Sequence, residues 1–170
     1  MRGVAGLMLA AVFGLPWTAS AQGLVTERTL GVSAANEAAL AALEQCRKDG
    51  HRVTVTVLDH AARTKVMLRD DGANPHTVQH SLNKAYTALT YRSASGEYGK
   101  RAAAGFPGSA GALHLDKITT AAGGLPILAG KDLVGAIGVS GSPGTPGGPP
   151  GGASDEKCAQ AGIERIKKNL

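Results

Sequence analysis

The chain has few aromatic residues, 4% of its length, so its core has to be built from Ala, Val, Leu and Ile. It lacks an apolar run long enough to cross a bilayer. The stretch from Val4 to Leu15 falls short of the roughly 20 residues a spanning helix requires. It has no Cys-x-x-Cys pair, which removes the usual dithiol redox motif. No Gly-x-Ser-x-Gly elbow occurs. Ser140-Gly141-Ser142 follows a strand but runs into a Gly/Pro loop rather than a helix, so the nucleophile-elbow context fails. The glycine-rich stretches match neither a phosphate-binding loop nor a dinucleotide fingerprint. The net charge of +5 is scattered along the chain, without a basic stripe interleaved with aromatics, so no nucleic-acid partner is expected.

The first residues carry Arg2, the apolar run Val4–Leu15, and Ala19-Ser20-Ala21. That order reads as a secretory signal over residues 1–21, cleaved after Ala21. The expected product, residues 22–170, is a single domain without a membrane anchor. Its expected location is periplasmic or secreted, an oxidising compartment where paired cysteines persist. It keeps two, Cys46 and Cys158.

Apolar positions Val32, Ala35, Ala39, Leu43 and Cys46 repeat at helical spacing, and Gly50 suits a left-handed helix end. The alternation Val53-Thr54-Val55-Thr56-Val57 predicts a half-buried strand with valines inward. Thr64–Arg69 is its hairpin partner. A second helix is expected over Thr77–Arg92, capped by Thr77, with Val78, Leu82, Ala85 and Leu89 as its apolar stripe. A short third helix is expected over Gly96–Ala103, after Ser95, and an irregular connection over Phe106–Thr120. Strands follow at Leu125–Leu128, beside Pro126, and at Leu133–Ser140. In the latter, Gly135 and Gly138 mark places where a backbone or ligand comes close. Residues 141–152 read as a Gly/Pro-rich surface loop. A last helix is expected over Asp155–Lys168, capped by Ser154. Cys158 on its inward face and Cys46 on the inward face of the first helix can meet if both helices cover the same face of the sheet, and a structural bridge is expected.

The segments Val53–Asp59, Asn83–Ala88, Gly123–Ile127, Val134–Gly141 and Asp155–Gly162, in that order and spacing, resemble the GlcG/HbpS-like haem-binding family. They are also similar to the PduO C-terminal domain. The resemblance implies an α/β (α+β) profilin-like fold: a five-stranded antiparallel sheet with helices on both faces, often a homo-oligomer. The residues account for four strands, so the fifth would lie near Lys117–Ala121. The resemblance also implies haem as cofactor.

Haem requires an apolar slot, axial donors and cations for its propionates. His76 and His80 project on one side of the second helix and are candidate haem or metal ligands. Lys84 and Thr87 continue that face, which reads as polar and outside the core, so a haem there would sit at a subunit interface. His114, between Leu113 and Leu115, is a further candidate. His51 and His60 read as exposed. One branch of the family uses a histidine in the first helix, which here has none. Another uses a threonine, for which Thr119 and Thr120, ahead of Gly123 and Gly124, are the matching positions. The expected function is haem or iron handling, or redox sensing. The alternatives are a haem-free accessory domain that binds a small organic ligand or a protein partner, and a weak haem-dependent peroxidase or haem-degrading enzyme.

Overall fold

The computed structural model describes residues 23–143 and 151–170. The expected signal segment, and residues 144–150 of the expected loop, lie outside that range. The elements are α1 (Val32–Lys48), β1 (Thr54–Asp59), β2 (Thr64–Arg69), α2 (His76–Tyr91), α3 (Ser95–Ala103), α4 (Ser109–Ala112), β3 (Gly124–Ala129), β4 (Asp132–Ser140) and α5 (Gly151–Ile166). A 3₁₀ turn, Lys167–Asn169, follows.

Among the described residues the sheet has four strands, all antiparallel, in the order β2-β1-β4-β3. The fifth strand expected at Lys117–Ala121 does not form. There the chain is tied by side chains rather than by a neighbouring strand: the Thr119 N–H donates to Thr87 Oγ1 at 2.9 Å, and Ser95 Oγ donates to the Ala121 carbonyl at 2.7 Å.

Pairing of Val55 with Val139 and Val57 with Ile137 puts four branched side chains on one face of the central strands. The helices α1 and α5 cover that face. Ala35, Ala38, Ala39 and Ala42 of α1 are fully buried. A Cβ on Gly162 of α5 would press on the Ala38 carbonyl and the Ala42 methyl, so small residues set this close helix contact. The Cys46–Cys158 disulfide joins the two helices, with Cα atoms 5.5 Å apart and 112 residues between them in sequence. The expected bridge is therefore present. Gly50 ends α1 with φ +81°, and the His51 N–H returns to the Cys46 carbonyl at 2.8 Å.

The opposite face presents Thr54, Thr56, Leu58, Ala136, Gly138 and Ser140 to α2. Thr54 and Thr56 are fully buried, so β1 is covered on both sides, not half-buried as alternation suggested. Their hydroxyls are matched from α2: Thr54 Oγ1 lies 2.7 Å from Thr77 Oγ1, and Thr56 Oγ1 lies 2.7 Å from Ser81 Oγ. Two capping expectations are corrected here. Thr77 lies inside α2 and donates to the Asn74 carbonyl at 2.6 Å. Ser154 lies inside α5, which already begins at Gly151.

Candidate functional site

The helix α2 buries only half of the stripe its apolar residues mark. Thr77, Ser81, Lys84, Thr87 and Ala88 are buried with Ala85 and Leu89, whereas Val78 and Leu82 are only partly covered. The cause is in the strands beneath. Gly138 and Gly124 are cross-strand partners. A Cβ on Gly138 would collide with the Ser81 carbonyl and the Ala85 nitrogen, and one on Gly124 with the Lys84 carbonyl. The helix backbone therefore rests on a pair of glycines, and its small polar residues enter the protein. The expectation that Lys84 and Thr87 form an outward face is overturned: Lys84 is 2% exposed and Thr87 is fully buried.

Three side chains then descend along α2. His76 is exposed, His80 is half-buried and Lys84 is buried. Lys84 Nζ donates to Asp155 Oδ2 of α5 at 2.7 Å. Asp155 Oδ1 accepts from the Ser142 N–H at 3.0 Å and from Ser142 Oγ at 2.7 Å. Gly123, with φ +120°, leaves room for this pair. A Cβ there would lie 2.7 Å from the Asp155 Cβ and 3.0 Å from Lys84 Nζ. Gly124 donates its N–H to Ser95 Oγ at 2.9 Å, which fastens the glycine pair to the start of α3.

Between α2, α3, the 119–122 connection and the end of β4 lies a cavity of about 780 Å³, within the range of small-molecule and cofactor sites. Its polar lining includes His80, Lys84, Lys100, Ser140 and Asp155, and Ala103, Ala121 and Ala122 contribute apolar surface. His80 Nδ1 lies 3.3 Å from Ser140 Oγ, and Nε2 lies 3.5 Å from Thr119 Oγ1, a distance too long for a strong bond. Burial holds the His80 imidazole below its ordinary value of 6.5, with the Lys84 ammonium and His76 adding to the shift and Asp155 opposing it. A neutral imidazole at neutral pH keeps a lone pair for a metal.

Of the expected site residues, the cavity gathers His76, His80, Lys84 and Thr120. Thr119 stands behind His80, and Gly123 and Gly124 shape the floor. His114 is elsewhere: it is exposed, with Leu113 and Leu115 41% and 61% exposed on either side. Its apolar neighbours do not enclose it. Among the described residues, no group of three or more His, Cys, Asp or Glu is placed to hold a metal ion. Asp155, Ser140 and Ser142 were missed as site residues. Asp155 read as the first residue of the last helix, Ser140 as the end of a strand and Ser142 as part of the loop.

A family model described as haem degrading protein HbpS-like matches residues 30–164. The chain belongs to the HbpS-like family. A crystal structure of a double Glu→Asp mutant of HbpS from Streptomyces reticuli superposes with a TM-score of 0.74. It is 35% identical and covers 89% of this chain and 97% of that one. The protein ORFY of Klebsiella pneumoniae gives a TM-score of 0.75 at 25% identity, over 85% of this chain and 95% of that one. An uncharacterized 15.0 kDa protein of Citrobacter freundii, from the dhaT-dhaS intergenic region, is 34% identical over 115 residues, 66% of this chain and 80% of that protein. A PduOC:heme complex shares the fold, with a TM-score of 0.70 at 24% identity over 81% of this chain and 95% of that one. No described helix of this HbpS-like chain is long and apolar enough to cross a membrane.

Proposed function

We propose that the cavity beside α2 binds haem, with His80 as the axial donor. The observation that carries this reading is a half-buried imidazole, held neutral, on the wall of a cavity of about 780 Å³ that also presents Ala103, Ala121 and Ala122. The residues present fit the group. His80 offers a lone pair, and the Ala103, Ala121 and Ala122 surface suits an apolar ring. Ser140 Oγ lies 3.3 Å from Nδ1, on the side where an outer contact orients a ligating histidine. Thr120 on the cavity lining and Thr119, 3.5 Å from His80 Nε2, are the threonine candidates of the 119–122 connection. Haem, when bound, supplies a redox-active iron to a site that otherwise has only acid–base groups. The HbpS-like family description and the haem complex of PduOC support haem as the ligand.

The expected physiological setting is haem or iron handling or redox sensing outside the cytoplasm. The signal-like residues 1–21 and the disulfide support export. A second reading, haem degradation, is favoured by the family description alone. Iron release from the loaded protein on addition of peroxide or a reductant would distinguish it from simple binding.

The test is an absorbance titration of the disulfide-intact protein with haemin. A saturable Soret shift near one haem per chain is expected, lost in His80→Ala and kept in His76→Ala and His114→Ala. A shift that survives in His80→Ala removes His80 as the donor. A featureless response moves the weight to a haem-free accessory domain.

A further inference from the structure

Lys84 is the cavity group that axial ligation by His80 leaves unused. An ammonium has three N–H donors and no acceptor. Lys84 gives one to Asp155 Oδ2 at 2.7 Å, and among the described residues it makes no other hydrogen bond. Its side chain is 3% exposed, yet it borders the cavity. Asp155 has no corresponding spare capacity on that side, because its second oxygen already takes the Ser142 N–H and hydroxyl. The cavity floor therefore carries a buried cation with donors to spare, beside a carboxylate that is already occupied.

Buried charged donors are seldom left without acceptors. The acceptor best matched to an ammonium is an anionic oxygen, which gives a short, charge-assisted bond. The absence of a side chain at Gly123, where a Cβ would come within 3.0 Å of Lys84 Nζ, keeps the ammonium clear on that side. The other lysine on the cavity, Lys100, is largely exposed and is already paired with Glu97 at 2.6 Å.

We infer that Lys84 receives a propionate carboxylate of the bound porphyrin, making the floor of the cavity a carboxylate subsite separate from the His80 donor. This inference rests on the reading that the cavity takes haem. It predicts that recognition depends on the ligand's carboxylates at a buried position, not only on iron and on apolar contact.

The experiment compares haemin with haemin dimethyl ester, in which the propionates are methylated but the iron and ring are kept. Both are titrated against the disulfide-intact wild type, Lys100→Gln and Lys84→Gln. Loss of one charge-assisted bond predicts ester binding at least about tenfold weaker in the wild type and in Lys100→Gln. The ester and the acid should bind alike in Lys84→Gln. Because that variant leaves Asp155 buried without its partner, circular dichroism checks its fold. If it is unfolded, Lys84→Gln/Asp155→Asn, which removes both charges, takes its place. Equal binding of ester and acid to the wild type, or a penalty that vanishes in Lys100→Gln, overturns the carboxylate subsite and leaves the haem reading standing. Failure of haemin itself to bind the wild type overturns both.

Discussion

On the face covered by α1 and α5, Val55, Val57, Ile137 and Val139 meet alanines and a disulfide. Under α2, the same two strands present Thr54, Thr56, Gly138 and Ser140, with Leu58 and Ala136 toward one end. The first face is held by area removed from water and by a covalent tie. The second has a smaller apolar cluster, Leu58 and Ala136 against Ala85, Ala88 and Leu89, and around the cavity it is held by paired hydroxyls and by close backbone approach across glycines. The cavity lies on the second face. An apolar interior admits no unpaired polar groups, whereas a face already built from hydroxyls, glycine and a buried lysine can offer donors to a ligand. In this fold, stability and recognition are divided between the two sides of one sheet.

The largest expected effect comes from cutting the covalent tie. Replacement of both cysteines by alanine opens a loop of 112 residues, for which the chain-entropy model gives a loss of about 4–5 kcal/mol. Urea unfolding measures it. Haemin affinity of the protein that remains folded should be little changed, because neither sulfur borders the cavity. A loss below about 1 kcal/mol, against the usual 2–5 for a native bridge, would mean that packing alone holds α1 to α5.

A smaller effect separates the faces directly. Gly138→Ala drives a methyl into the α2 backbone and should cost about 3 kcal/mol, at the upper end of overpacking. It should also weaken haemin binding, because α2 carries His80. Ile137→Val, the adjacent residue on the apolar face, should cost about 1 kcal/mol and leave binding intact. Equal costs, measured by thermal melts of both variants, would break the distinction.

The smallest effect is pH-dependent and has two steps. The folded-state value of His80 lies below 6.5, so the unfolded chain takes up this proton first as pH falls. The His80 contribution to stability is present above pH 6.5 and is lost as pH falls through the folded value. Soret loss on acidification should therefore have its midpoint below 6.5. Asp70 is held below 3.8, chiefly by the hydrogen bond from Arg47 of α1 and against the effect of burial. Its contribution is present above pH 3.8 and is lost only as pH falls through its lower folded value. Thermal melts across pH should show the upper step vanish in His80→Gln and the lower step remain. A midpoint at or above 6.5 would mean that His80 is as solvated as a free imidazole.

The helices and the four strands were legible because they depend on periodicity and on turn residues such as Gly50 and Asp70–Pro75. Gly138 was legible as a place of close approach, but a glycine does not say what approaches. For that reason the burial of Lys84 was not visible. Helical spacing puts it with His76 and His80, and only the glycine pair beneath α2 turns that row inward. Alternation in β1 sorted Val from Thr correctly, but it carries no information on whether the second face is covered. His114 misled for a related reason: apolar neighbours in sequence are not neighbours in space. The fifth strand came from resemblance, not from any pattern in Lys117–Ala121.

The disulfide also divides the chain topologically. Residues 46–158 form a closed covalent ring, and what precedes and follows leaves it from a single point. The ring holds the whole sheet, α2 and every cavity residue from Asn74 to Asp155. The two tails, most of α1 and the rest of α5, supply the cover for the apolar face. A single backbone cut in the exposed stretch Leu113–Lys117 would leave one molecule, with both halves of the cavity still joined, until the bridge is reduced.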